Sequence, residues 1–261
     1  MKKLLSLVLA AILLMTAALS LASCSKGGET VYAVEAGSAG EAAAKDKGWK
    51  TNVVASQADA LMEVKSGTSD AAIIDLLMAV AMTGEGTSYP DLKFTDSLTS
   101  EEYGVGCRKG SDLAGVINDV FSVTYANGQM QECAKTYGLE AAMIEQPAAD
   151  GVKIPAGGDT EAICAKGTLI VGITDFEPMD YQDADGNWIG FDADMARIVA
   201  EMLGVDVQVV VIDWDNKIME LDSGSIDVVW NGMTITDEVK GAMTCSNPYF
   251  NNAQVVVVPA K

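Results

Sequence analysis

The chain has 261 residues, with 37 acidic against 17 basic side chains, a formal net charge of −20 and no histidine. So negative a surface repels nucleic acid and anionic lipid headgroups. The lack of histidine removes the commonest general base, the usual Ser-His and Cys-His nucleophile pairs and the commonest metal ligand. The length suits one large or two modest domains.

Lys2 and Lys3 open the chain, and Leu4 to Leu21 is apolar apart from Ser6, Thr16 and Ser20. A basic start, an apolar core and a small-residue end read as a secretory signal over residues 1–23. A plain transmembrane anchor is the competing reading, because the run is nearly long enough to span. Leu21-Ala22-Ser23-Cys24 resembles the lipobox of bacterial lipoproteins, which implies cleavage before Cys24 and lipid on its thiol. Residues 24–29 follow as a polar tether rich in Ser and Gly. The body would then sit on the outer face of the cytoplasmic membrane.

Apolar runs and helical patterns alternate from there. Strands are expected at 31–34, 52–55 and 71–74, with helices at 41–47 and 58–65 between them and a further helix opened by Asp75. Residues 92–95 and 103–108 are strand-like, and helices are expected near 113–125 and 130–137. Residues 146–163 hold two prolines with several Ala and Gly, and read as a linker. The pattern then restarts, with strands at 168–173, 205–212, 226–230 and 255–258, helices at 192–203 and 216–221, and a turn at 183–187. Strands alternating with helices, in two groups, predict an α/β protein of two lobes, each a mostly parallel sheet flanked by helices.

Ligands of open α/β sheets sit at the carboxyl ends of strands. The residues expected there include Ser38 and Ala39, Asp75, Phe176, Trp214, then Asn231, Thr234 and Thr236. Taken singly, each is ordinary turn or cap chemistry. Together they offer aromatics, hydroxyls, one acid and a glycine-rich helix start, a set suited to a small polar molecule. Asp183-x-Asp185-x-Asn187 is similar to a calcium loop, but its Gly stands at the fourth position instead of the sixth, so a hairpin turn is expected. Glu101-Glu102 reads as a solvated rim. Cys107, Cys133, Cys164 and Cys245 include no CxxC pair, so no zinc ribbon is indicated. Disulfides and buried free thiols both remain open for them. No metal site, catalytic residue or cofactor is expected.

Several stretches of the second half resemble polar amino-acid binding proteins that serve ABC importers (solute-binding protein family 3). They are Gly167-Thr168-Leu169-Ile170-Val171-Gly172, Gly190-Phe191-Asp192-Ala193-Asp194, Asn231-Gly232-Met233-Thr234-Ile235-Thr236 and Pro248-Tyr249. Val34-Glu35-Ala36-Gly37-Ser38 and Asp70 to Asp75 resemble the family's second lobe, and Tyr103-Gly104-Val105-Gly106 its second hinge. The resemblance implies a periplasmic-binding-protein-like fold with two lobes and two hinge strands, but in permuted order. Residues 30–102 would be the second lobe, 103–108 a hinge strand, 109–145 closing helices of the first lobe, 164–254 the first-lobe core and 255–261 the other hinge strand. A truncated tandem duplication and an inactive gene product are alternatives to circular permutation.

The resemblance also assigns roles. Phe176 and Trp214 would sandwich the ligand, Asn231 and Thr234 would hold its α-amino region, and Thr236, Ser38 and Ala39 its carboxylate. Asp75 would pair with the ammonium. Val239 stands where the family usually places a carboxylate-binding Arg, and a Val supplies no such donors. Lys240 would point about 100° away on a helix. The implied function is capture of an amino acid or related amine for an ABC permease, by a lipid-anchored monomer with no nucleic-acid partner. A sensing protein without transport is one alternative. A dehydratase-type enzyme on the same fold, with Asp75 or Glu177 as the acid, is another.

Overall fold

The computed structural model describes residues 28–261, so the signal segment and Cys24 lie outside the described residues. Two five-stranded sheets form two lobes. In the N-lobe, β1 (Val31–Glu35), β2 (Lys50–Val54), β3 (Ala71–Asp75) and β4 (Leu92–Ser97) are joined by β14 (Gln254–Pro259) in the order β2-β1-β3-β14-β4. In the C-lobe, β6 (Gly106–Arg108), β7 (Thr168–Ile173), β10 (Asp206–Val211), β11 (Val228–Val229) and β12 (Met243–Cys245) form the order β10-β7-β11-β6-β12. The two sheets share one plan. In each, four strands point the same way, and the strand arriving from the other lobe, β14 or β6, runs against its neighbours.

The crossing itself is a two-stranded antiparallel ribbon. β5 (Glu101–Tyr103) pairs with β13 (Phe250–Asn252), with Tyr103 opposite Phe250 and Glu101 opposite Asn252. This refines both expected hinge strands. The run 103–108 is broken at Gly104 and Val105 into β5 and β6, while residues 254–259 are a central strand of the N-lobe sheet. The bend at Ala253 and the ribbon before it are the connection.

Strand alternation explains how the layers fill. Ala33, Ala72 and Ile74 face one cluster with Ala60, Leu61 and Val64 of helix 57–66, while Val34 and Ile73 face another with Ala44 of helix 39–46. Leu169, Val171 and Ile173 of β7 meet Met195, Ala196 and Val199 of helix 191–203. On the other face of that sheet, Leu221, Ile226 and Val239 form a separate cluster with Trp214.

Helices at Leu113–Asn127 and Gln129–Thr136 pack against helix 191–203, on the C-lobe. The expected linker 146–163 requires correction at its end, because residues Asp159–Lys166 are a helix. Asp159 and Glu161 favour its first turn through the helix dipole, Glu161 accepts from the Gly157 N–H, and Ile163 is buried. Residues 183–187 form a hairpin turn between Tyr181–Gln182 and Trp188–Ile189. There Asp183 Oδ1 accepts from the N–H groups of Asp185 and Asn187 at 2.9 Å each, so its oxygens serve the turn. Among the described residues no group of His, Cys, Asp and Glu could hold a metal ion, no helix is long and apolar enough to cross a membrane, and the four cysteines are free.

Candidate functional site: a cleft between the lobes

A cavity of about 150 Å³ lies between the lobes. The eight residues expected at strand ends all line it: Ser38, Ala39 and Asp75 from the N-lobe, Phe176, Trp214, Asn231, Thr234 and Thr236 from the C-lobe. Topology brings them together. β1 and β3 are parallel and adjacent, so Ser38 and Asp75 follow at the same sheet edge, and β7, β10 and β11 do the same for Phe176, Trp214 and Asn231.

What each side chain has left to offer differs. Ser38 Oγ caps helix 39–46 by accepting from the Glu41 N–H at 3.1 Å, and Thr236 Oγ1 caps helix 237–242 by accepting from the Val239 N–H at 3.1 Å. The Asn231 amide is consumed locally. Its Oδ1 accepts from the Thr174 N–H at 2.6 Å and hydroxyl at 2.7 Å, and its Nδ2 donates to Asp180 Oδ2 at 3.0 Å. Thr234 Oγ1 donates to Glu101 Oε2 at 3.0 Å. Gly232 is required by a close approach, since at φ +54° an added Cβ would lie 2.5 Å from the Phe176 ring.

Asp75 is buried within an amide belt. Gln254 Nε2 donates to its Oδ1 at 3.0 Å, Asn252 Nδ2 also reaches Oδ1, and Gln57 Nε2 reaches Oδ2. Burial, then the nearby Glu101 charge, pushes the Asp75 carboxyl up to about 7.

Three lining residues carry charge that sequence reasoning did not place in the site. Glu35, the last residue of β1, is buried, and burial followed by the Asp75 charge pushes it up to about 8. Lys217 is the lone cation among the described residues of the lining, and Glu238 is a third acid. Lys217 Nζ donates to the Gly37 carbonyl at 2.9 Å, across the cleft, and to the Trp214 carbonyl at 3.1 Å. It also sits 4.9 Å from the Trp214 ring centre, a cation–π distance. Burial holds the Lys217 ammonium below its usual range. Gly37 lies against Asp215, where an added Cβ would be 2.8 Å from the Asp215 Cα, so the two lobes touch. Val239 is buried in the C-lobe cluster and Lys240 is exposed and near Asp237 at 3.6 Å, so neither offers a donor to the cleft. The signal for Glu35 and Lys217 was weak because a strand-end Glu and a helix-start Lys are ordinary surface residues until tertiary packing covers them.

Two mixed sheets, each completed by a strand from the other lobe and enclosing a polar cleft, define a two-lobed α/β binding fold. Residues 169–261 match the bacterial extracellular solute-binding proteins, family 3. A probable histidine-binding protein of Neisseria gonorrhoeae is 38% identical over 85 residues, which is 33% of this chain and 32% of that protein. Cyclohexadienyl dehydratase of Pseudomonas aeruginosa is 31% identical over 98 residues, 37% of each chain. The crystal structure of an ABC uptake transporter substrate binding protein from Streptococcus pneumoniae with bound histidine is 36% identical, covering 36% of this chain and 38% of that one, with a TM-score of 0.34. The chain thus spans about a third of the length of the curated relatives it matches.

Proposed function

We propose that the protein is an extracytoplasmic solute-binding lipoprotein, anchored through Cys24, that captures an amino acid or a related amine-bearing molecule in the interlobe cleft for an ABC permease. The observation that carries this reading is the convergence of Phe176, Trp214, Thr234, Ser38, Ala39 and Asp75 on one cavity between lobes joined by a ribbon. A buried carboxylate such as Asp75 offers an ammonium a partner, and the start of helix 39–46 offers free N–H groups to a carboxylate. Closure about the β5–β13 ribbon would enclose the ligand and present one closed shape to the permease. Binding-protein relatives support the same reading.

The order of the lobes follows a circular permutation of the family's order. Sheet register supports it. Tyr32 is level with Ala71, and Val257 with Ala72, on strands β1, β3 and β14. The start of β1 and the end of β14 therefore share one sheet edge, two strand spacings or roughly 10 Å apart, a gap that a short connection would bridge. Residues 146–158 make the compensating connection on the C-lobe.

Calorimetry against amino acids and polyamines tests the function. Saturable heat with at least one of them is expected. No heat and no thermal shift with any member of the set would sink this ligand class. A dehydratase-type activity is the second reading, favoured by the dehydratase relative and by two carboxyls in the cleft held above the ordinary range. Turnover of prephenate or arogenate would establish it, and their stability in the presence of the protein would exclude it.

A further inference from the structure

We propose that Glu35 is a second anionic anchor of the cleft, so that the preferred ligand presents two cationic nitrogens, one to Asp75 and one to Glu35. This deepens the binding reading above and rests on the cleft being the ligand site.

Four observations converge on it. Glu35 lines the cavity at 2% exposure, and its Oε1 is buried with no hydrogen-bond partner among the described residues. A buried acceptor without a donor costs about 1–3 kcal/mol, and a ligand N–H that fills it recovers that cost. Asp75 lines the cavity as well. Its Oδ1 is filled by Asn252 and Gln254, whereas Oδ2 accepts from Gln57, with the buried Tyr103 hydroxyl beside the carboxyl. The charge balance of the lining is two acids in excess, Glu35, Asp75 and Glu238 against Lys217. Lys217 is itself committed to the carbonyls of Gly37 and Trp214. Finally, the described lining supplies no second cation for a carboxylate, because Lys217 is its one cationic residue and Val239, which also lines it, carries no charge. A neutral zwitterion would bring one positive and one negative group and leave the excess in place. A molecule with two ammonium or guanidinium groups offsets it.

The groups facing Glu35 are Asp75 on β3, Asp59 and Gln57 on helix 57–66, and Lys217 across the cleft. Three of the four are acidic or neutral, so the site favours an incoming positive charge. Burial keeps the two carboxyls partly protonated near neutral pH. A cation that binds their ionised forms would therefore release protons.

Calorimetry of the purified chain at pH 7 with lysine, cadaverine and glutamine tests the proposal, with each titration repeated in phosphate and in Tris. Lysine or cadaverine is expected to bind at least 10-fold tighter than glutamine and to release protons, seen as a buffer-dependent heat. Cadaverine against lysine separates a plain diamine from a basic amino acid. Glu35→Gln is expected to weaken the dication by roughly 10- to 100-fold, the range of a charge-assisted hydrogen bond, and to weaken glutamine by less. Glu35→Asp keeps the charge and is expected to keep the preference. Glutamine binding as tightly as lysine, an unchanged dication affinity in Glu35→Gln, or a lost preference in a folded Glu35→Asp would each overturn the proposal while leaving the binding function standing. No binding of any of the three would overturn the cleft reading itself and this inference with it.

Discussion

The two lobes share a strand order but are filled differently. The C-lobe core is aromatic: Phe191 lies 4.5 Å from Phe250 and stacks on Tyr249 at 5.9 Å, and Phe121 meets Trp230 edge-on at 5.7 Å. The N-lobe core is built largely from small side chains, with Ala33, Ala44, Ala60, Ala72 and Ala79 all at 0% exposure. Small side chains let helices 39–46 and 57–66 approach the sheet closely and bring two acids to one edge of it. Large ones give the C-lobe the greater apolar burial, at about 25 cal/mol per Å². The difference teaches that one topology can serve as an aromatic-cored base in one half and bring two buried acids to the cleft in the other.

The sharpest way to break this comparison is to hollow out the aromatic lobe. Phe191→Ala is expected to cost roughly 3–5 kcal/mol, read as a fall in the urea midpoint. A cost no larger than that of Ile74→Val in the N-lobe, where about 0.5–1.5 kcal/mol is expected, would refute the view that the C-lobe is the base.

Protonation gives the next largest effect. Glu35 and Asp75 have folded values raised above their unfolded ones, to about 8 and about 7, by burial first. The folded protein keeps protons that the unfolded chain has released. The stability they contribute is therefore present at acid pH and is lost as pH rises from the unfolded carboxylate range near ~4 through about 8. The melting temperature of the ligand-free protein should fall between about pH 5 and about pH 8.5. Burial also raises Asp192, to about 7, and the neighbouring Asp180 in the C-lobe. Glu35→Gln should flatten the upper part of the profile and Asp192→Asn the middle. A profile unchanged by Glu35→Gln would place the effect on Asp75 and on the C-lobe carboxyls Asp180 and Asp192.

Contact between the lobes is a smaller and more local test. Gly37 sits at φ +66° against Asp215, so Gly37→Ala should prop the cleft open. The expected outcome is at least a tenfold loss of affinity by calorimetry and a larger radius of gyration, with a folding cost of about 1–2 kcal/mol from the left-handed backbone. Unchanged affinity would mean that the lobes do not need this approach. The smallest expected effect lies at the periphery of the C-lobe. Asp183→Ala removes the acceptor that organises the hairpin turn and should lower the melting temperature slightly, with no change in ligand affinity.

Sequence alone went far for the elements and for the geometry of the site. The strand at 168–173 is found with the expected bounds, and helix 191–203 starts one residue before its expected position. Period-two and period-3.6 patterns are local, so they survive without knowledge of neighbours. The eight strand-end residues share one cavity because parallel strands carry their carboxyl ends to one edge. The short strands 243–245 and 250–252 were not legible. Three residues carry too little pattern, and such strands exist only because β6 and β5 pair with them. Helix 159–166 was hidden by the Pro- and Gly-rich run before it.

The deeper division concerns charge. The amino-acid sequence by itself determined an acidic, histidine-free α/β chain with two lobes and a polar cleft. Only the tertiary structure decided which polar groups are spent and which remain free. Asn231 and Thr236 are held by neighbours, Lys217 is drawn across the cleft to Gly37, and Glu35 is left buried with an open acceptor. Burial sets the cost of an unmet charge, and burial is a property of the packed lobes, not of any stretch of chain.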